Sequence, residues 1–349
     1  MIVPSSSPLI FDSGYDDSIE KHMAGKHDQS FHAGGGRSAA YARMALNRKK
    51  MMDSGKIKHG MKRDNRGNVI NPDATGGYKA GIPNDIEFDG MHLTPDHSLW
   101  HHLESDGANG YRLTAERAAL HNSIIEKATA GIPSSDNPTF TMLGGGPAAG
   151  KTTALKQGIV EGVPSKTQGV HINADDLKDN LPEYGRMTKS DDDNDFFEAA
   201  AFSHEESSML AKRVQNAAVA NKQDIVLDGT GDSSMEKLEK KIKQATSAGY
   251  GVQGVYFTIP TEEAWGRSKK RALNSSGRRF VPEYIVRDTH KQVSNTFKEA
   301  AVSKAFTRLI LIDSTVMGGA KIIGQTDNSR NFVAADQAAY DEFLAKGNE

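Results

Sequence analysis

FTMLGGGPAAGKTTALKQG, residues 140–158, runs from apolar residues through seven glycine, proline and alanine residues to a lysine and two threonines. Gly145, Gly150, Lys151 and Thr152 match the spacing G-x-x-x-x-G-K-[ST], between a strand-like apolar run and a helix-like segment. That context gives the motif a mechanism. Glycines let successive backbone N–H groups turn inward as an anion nest, and a helix start adds partial positive charge. Polyphosphate fits such a concavity, lined here by Gly145, Gly146, Pro147, Ala148, Ala149 and Gly150, with Thr153 following in the helix. Lys151 would reach the β- and γ-phosphates and the Thr152 hydroxyl would help hold Mg²⁺. The stretch therefore predicts ATP or GTP with Mg²⁺, the plain alternative being a tight strand-to-helix turn.

Working outward, short apolar runs alternate with helical patterns: "GVHIN", a long helix near 196–221, "DIVLDGT", a helix near 233–248, "GVQGVYFTI", a helix from Thr261, a helix near 283–303, then "RLILID". Such alternation predicts an α/β fold, a doubly wound parallel sheet of the P-loop kinase type with helices on both faces and ligands at the carboxyl ends of the strands. The glycines of "VMGGAKIIG" read as a hairpin turn between two terminal strands.

Residues 1–105 differ in character, rich in Gly, His, Asp, Asn and Lys, and are expected to form a largely irregular extension ahead of a compact domain over 106–349. One short helix is expected within 37–55. Compact structure is expected to begin at the helix after Thr114, a plausible N-cap, with Leu120, Ile124 and Ile125 as its stripe and Gly131 and Pro133 at its end. On this reading a chain starting near Asp106 keeps its activity. The chain has no cysteine, which excludes disulfides, thiolate metal sites and a cysteine nucleophile. A formal charge of −2 gives no global pull toward nucleic acid or an anionic membrane, and no apolar run approaches membrane-spanning length. A soluble cytoplasmic protein is the expectation.

The acids narrow the chemistry. Asp228 closes "DIVLD", where a carboxylate can hold metal-bound water or orient an acceptor, in motor ATPases as well as kinases. "HINADDLKDN" ends in Asp175 and Asp176. Phosphoryl transfer to a hydroxyl needs a carboxylate to take its proton, and Asp175 is read as that base. Asp176 is read as capping the next helix and facing the substrate; both could instead be ordinary first-turn acids. In "WGRSKKRALNSSGRRFVP", Arg267 and Arg271 lie four apart, with Arg278 and Arg279 beyond a Ser/Gly turn. They suit a basic flap closing over phosphates, the alternative being a solvated basic face.

Taken together, "FTMLGGGPAAGKT", "INADDLK", "IVLDGTG", "VYFTIP" and "RSKKRALNSSGRRFVP" resemble the zeta-toxin family of P-loop kinases over about Pro138 to Ser314. The resemblance implies that Lys151 and Thr152 serve phosphate and Mg²⁺, Asp175 is the catalytic base, Arg271 and Arg279 are lid arginines, and Thr230 lies on the acceptor side. It implies as acceptor the sugar 3′-hydroxyl of UDP-N-acetylglucosamine, and as partner a small helical antitoxin. Ala148 and Ala149 stand where the family often has Gly and Ser. The family's substrate-binding acid falls to Glu205 or Glu206, with Glu206 preferred. "KHDQSFHAGGG" is similar to a short motif of phage head-morphogenesis proteins, which implies a phage-encoded, virion-associated protein with virion partners. Rival readings are a kinase for a nucleic-acid end, nucleoside or antibiotic, and a virion protein that uses the fold for binding.

"DDDNDFFEAAAF" from Asp191 lacks the glycine and terminal glutamate of a calcium loop, and Asp195 to Glu198 reads instead as a capping box. His92, His97, His101 and His102 cluster near Trp100 without metal-finger spacing.

Overall fold

The computed structural model describes residues 62–63, 69–70, 82–83, 86–107, 110–156, 158, 160–189, 199–231, 234–273, 281, 283–316 and 318–349. The helix expected within 37–55, the motif at 26–36, the capping box from Asp195 and the arginines Arg278 and Arg279 lie outside them. The described residues fall into two compact units, one of 128–173 and 212–349, the other of those up to Lys127 together with 174–211. Among them, no helix is long and apolar enough to cross a membrane.

The first unit is built on one sheet. Its elements are β1 (Thr139–Gly144), α1 (Lys151–Lys156), β2 (Gly169–Ile172), β3 (Asp224–Asp228), α2 (Met235–Ser247), β4 (Gly251–Thr258), α3 (Thr261–Leu273), α4 (Glu283–Ser303), β5 (Arg308–Asp313), β6 (Lys321–Thr326), β7 (Phe332–Ala334) and α5 (Gln337–Ala345). The strand order is β7-β6-β5-β4-β1-β3-β2. β2, β3, β1, β4 and β5 are parallel, and β6 and β7 add an antiparallel edge. The apolar runs read as strands are thus the parallel ones, and the antiparallel pairing of β5 with β6 is the one the Gly-Gly pair predicts.

The parallel strands are largely apolar because both faces of the sheet are covered. On one face Leu143, Val226, Val255, Phe257, Ile310 and Ile312 pack with Ala149, Ala154 and Val160. Tyr256, between Val255 and Phe257, points the other way. Its ring meets Phe297 of α4 edge-on at 5.0 Å, and Phe297 meets Phe332 and Phe343 at 5.2 Å each. Side-chain caps start α2 and α5: Ser234 accepts from the backbone N of Lys237, and Asp336 from that of Ala339.

In the second unit, a hairpin pairs Ile86–Phe88 with Met91–Leu93 through Asp89 and Gly90 at φ 52° and 76°, the left-handed pair that a two-residue hairpin turn requires. A 3-10 turn (Ser98–His102) and the strand pair Leu103–Ser105 and Tyr111–Leu113 follow. Thr114 caps the helix Ala115–Thr129, its hydroxyl accepting from the backbone N of Arg117. The expectation of irregular structure as far as residue 105 fails for Ile86–Ser105. Its apolar residues are too scattered to show a period, yet Ile86, Leu93, Leu99, Trp100 and Leu103 converge on one core with Leu113 and Met209. The Trp100 indole N–H donates to the Pro83 carbonyl at 2.8 Å. A second cluster joins Ile124, Leu181, Tyr184, Met187, Phe202 and Leu210. The long helix expected near 196–221 runs as His204–Ala220, with helical residues 199–202 before it and a turn at Ser203.

Candidate active site

The loop after β1 has the backbone that an anion nest needs. Gly145 and Gly150 take φ of 130° and 83°, and Ala148 takes 62° although it carries a Cβ. Three glycines are required by contact as well. A Cβ on Gly144 would lie 2.3 Å from the Tyr256 ring, on Gly145 2.7 Å from the Phe257 carbonyl oxygen, and on Gly146 2.2 Å from the His290 ring. Lys151 Nζ arches over the loop and donates to the Gly145 carbonyl at 2.7 Å. Thr152 and Thr153 are exposed on the first turn of α1, and Ala149 is buried beneath.

The end of β3 is tied to this loop, since Gly145 N donates to the Thr230 carbonyl at 2.9 Å and Gly229 N to the Leu143 carbonyl at 3.3 Å. Asp228 is partly exposed there, and Asn173 at the end of β2 donates from Nδ2 to its Oδ2 at 3.0 Å. That bond orients the Asp228 carboxylate. Asp228 and the Thr152 hydroxyl are both oxygen ligands, the type that Mg²⁺ takes.

In the second unit Asp175 and Asp176 both lie inside the helix Ala174–Lys178, in its first turn, where the peptide dipole favours carboxylates. Asp175 accepts from Lys178 Nζ at 3.1 Å; the carboxylate is 35% exposed and the lysine buried. Glu206, expected to bind the acceptor, is instead engaged by side chains of the second unit. It has no exposed surface, and both oxygens are occupied by side chains of its own unit. Oε1 accepts from Arg117 Nε and from His121 Nε2 at 2.7 Å; Oε2 accepts from Arg117 Nη2 and Ser98 Oγ, both at 2.7 Å. Arg117 also forks onto Glu183 at 3.1 and 2.8 Å, and Glu183 takes a further bond from His102 at 2.8 Å. Burial alone would raise the pKa of Glu206, but the bonds from His121 and Arg117 outweigh it and hold the carboxyl well below the usual range. A lone glutamate in a helix shows none of this in sequence, because its partners lie 85 to 108 residues away.

The histidines near Trp100 have separate partners: His97 Nδ1 meets the Thr94 backbone N and hydroxyl, His101 the Pro95 carbonyl, and His102 Glu183. Of the flap arginines, Arg267 serves the fold. It bonds Glu263 at 2.9 Å, the Ser314 carbonyl at 3.1 Å and the Thr315 carbonyl, fastening the loop after β5 to α3. Arg271, one turn on, is partly buried in the last turn of α3.

The zeta toxin family profile matches residues 122–328, more than half of the chain. The chain belongs to the zeta toxin family. The match agrees with the mostly parallel, P-loop kinase-like core described above. A curated relative of this zeta toxin family member is the calmodulin calcium-dependent NAD kinase of Arabidopsis thaliana, 24% identical over 187 residues, which are 50% of this chain and 35% of that protein. The chain thus spans about a third of that relative's length. Among solved structures, AvrRxo1-ORF1:-ORF2 with ATP matches with a TM-score of 0.52 at 18% identity, covering 67% of this chain and 74% of that one. The PezAT toxin–antitoxin system of Streptococcus pneumoniae gives a TM-score of 0.47 at 18% identity, covering 68% and 95%. At such identity the AvrRxo1 likeness speaks for the fold.

In this zeta toxin family member three groups near the phosphate loop have no counterpart in the sequence reading: Asn173 beside Asp228, Ser314 after β5 and His290 on α4. His290 Nε2 lies 3.1 Å from the Pro147 carbonyl, and burial, with the Lys346 and Lys151 charges, pushes the imidazole down to about 4. Only "INA" carries a local cue, a polar residue closing a buried strand.

Proposed function

We propose that the chain transfers the γ-phosphoryl group of Mg²⁺-ATP to a sugar hydroxyl of a nucleoside diphosphate derivative. The observation that carries the donor half is the nest of Gly145 to Gly150 closed by Lys151, which matches a triphosphate in shape and charge. Lys151 binds the β- and γ-phosphates, and Thr152 with Asp228 would hold Mg²⁺, which would neutralise charge on the phosphates. Asp175 accepts the acceptor's hydroxyl proton as its oxygen bonds to the γ-phosphorus and the bond to the bridging oxygen breaks, releasing ADP. Arg271 and Arg279 stabilise the charge in flight, and Asp176 and Thr230 face the acceptor. GTP remains the alternative donor.

Two acceptors are candidates. UDP-N-acetylglucosamine follows from the resemblance to the zeta toxin family, and NAD from the relative named as an NAD kinase. Both carry a sugar on a nucleoside diphosphate, so one pocket chemistry covers them. Incubation with γ-labelled ATP and NAD, UDP-N-acetylglucosamine, nucleosides or a 5′-hydroxyl oligonucleotide tests the reading. Label in NAD or the nucleotide sugar is expected, and label only in the oligonucleotide or nucleoside refutes it. An antitoxin-like helical partner is part of this proposal, as the resemblance to the zeta toxin family implies. A virion role is the reading left if no acceptor is phosphorylated.

A further inference from the structure

An anion nest works only if its N–H groups face inward, which obliges the loop's carbonyls to face outward and find donors behind. Here each has one. Gly146 O accepts from Ala149 N at 3.2 Å and Gly150 O from Ala154 N at 3.0 Å, within the loop and helix themselves. The other two outward carbonyls are served by side chains far away in sequence. Pro147 O faces His290 Nε2 at 3.1 Å, and Ala149 O accepts from Ser314 Oγ. A carbonyl can only accept, so this imidazole carries its proton on Nε2, and a neutral ring suffices.

Both donors are fixed in turn. His290 is 3% exposed, and its ring occupies the space that a side chain on Gly146 would need. Ser314 is 5% exposed; its N donates to the Thr258 carbonyl at 2.9 Å, and its own carbonyl accepts from Arg267 at 3.1 Å. Thr258 is held from its other side by Lys346, whose buried Nζ donates to Thr258 Oγ1 at 2.5 Å and to the Ile259 carbonyl at 2.5 Å. Gly150, with a left-handed φ, has room for a Cβ no closer than 3.2 Å to Ser314 Oγ, so the serine lies in close contact with the loop.

We propose that His290 and Ser314 are positioning residues for the donor nucleotide: from behind the loop they hold the Pro147 and Ala149 carbonyls turned away from the phosphates. Neither touches the ligand; each acts through the backbone it holds. The assignment rests on the ATP reading above and adds two residues outside the phosphate-loop motif to it.

Direct titration of ATP into the folded full-length protein tests it, with His290→Leu, His290→Gln and Ser314→Ala beside the wild type. Leucine fills the space without a donor, and glutamine restores an N–H. ATP should bind about tenfold more weakly to His290→Leu and Ser314→Ala, the scale of one hydrogen bond, and within about twofold of wild type to His290→Gln. In steady state the KM for ATP should rise with kcat and the acceptor KM nearly unchanged, a split that general destabilisation does not produce. Wild-type affinity in both His290→Leu and Ser314→Ala overturns the assignment. Ser314→Ala removes a single oxygen, so wild-type affinity in that variant is enough to overturn it if His290→Leu does not fold. A wild type that fails to bind ATP overturns the donor reading itself, and this assignment with it.

Discussion

Replacing Glu206 by glutamine separates a structural acid from a substrate contact. Glutamine keeps the size of the side chain and removes the charge that faces Arg117 and His121 in a fully buried site. Removing one partner of a buried ion pair costs about 3–5 kcal/mol, and the lower end applies because Glu183 still forks onto Arg117. A loss of about 3 kcal/mol is therefore expected, located in the second unit. The chain's two tryptophans make that location measurable: Trp100 is buried in the second unit and Trp265 lies on α3 of the first. In a Trp265→Phe background, urea unfolding followed by Trp100 fluorescence should show an earlier midpoint for Glu206→Gln, with the acceptor KM of the folded enzyme little changed. An unchanged midpoint with a raised acceptor KM would refute the structural reading and restore Glu206 to the acceptor site. The same acids set an acid limit. Glu183 and Glu206 are both depressed, so their stabilisation is present above about pH 4.5 and is lost as pH falls toward their folded values.

Other perturbations have distinct signatures. Lys151→Ala should abolish phosphotransfer with little change in the unfolding midpoint, and near-normal turnover would sink the nest reading. Asp175→Asn should lower single-turnover phosphotransfer about 10²- to 10⁴-fold with ATP affinity unchanged, whereas Asp176→Asn should not; the reverse result moves the base by one residue. His290 titrates at about 4 in the folded protein against 6.5 unfolded, so its contribution is complete above pH 6.5 and falls away down to about pH 4. Comparing urea midpoints at pH 7 and 4.5, wild type should lose roughly 2 kcal/mol more than His290→Leu, and equal losses would refute the buried neutral imidazole. A chain starting at Asp106 lacks Leu93, Leu99, Trp100 and Leu103 and should not form the second unit's core, which limited proteolysis would reveal; a protease-resistant second unit in that chain contradicts the packing described.

The parts legible in sequence are those whose cause is local. β1, β3, β4 and β5 announce themselves because a strand buried on both faces must be largely apolar, and Thr114 because a cap bonds the backbone three residues on. The phosphate loop is legible because its glycines answer a backbone demand within ten residues. His290, Ser314 and Asn173 are not legible, since each meets the site across 143, 165 or 55 residues and nothing beside it in the chain records the meeting. Glu206 passes for an acceptor-binding acid in sequence for the same reason. The core of Ile86–Ser105 stays hidden because a hairpin and short strands of three residues are too brief to display a period.

β1 lies third from one edge of a seven-stranded sheet, bonded on one side to β3 and on the other to β4. Its amide hydrogens can therefore trade with solvent deuterium only when the sheet separates on both flanks, which is close to whole-unit opening. The residues that grip phosphate are thus mounted on a strand flanked on both sides within that unit's sheet. Catalytic failure and unfolding of that unit should arrive together on heating, while the short edge strand β7 exchanges long before either.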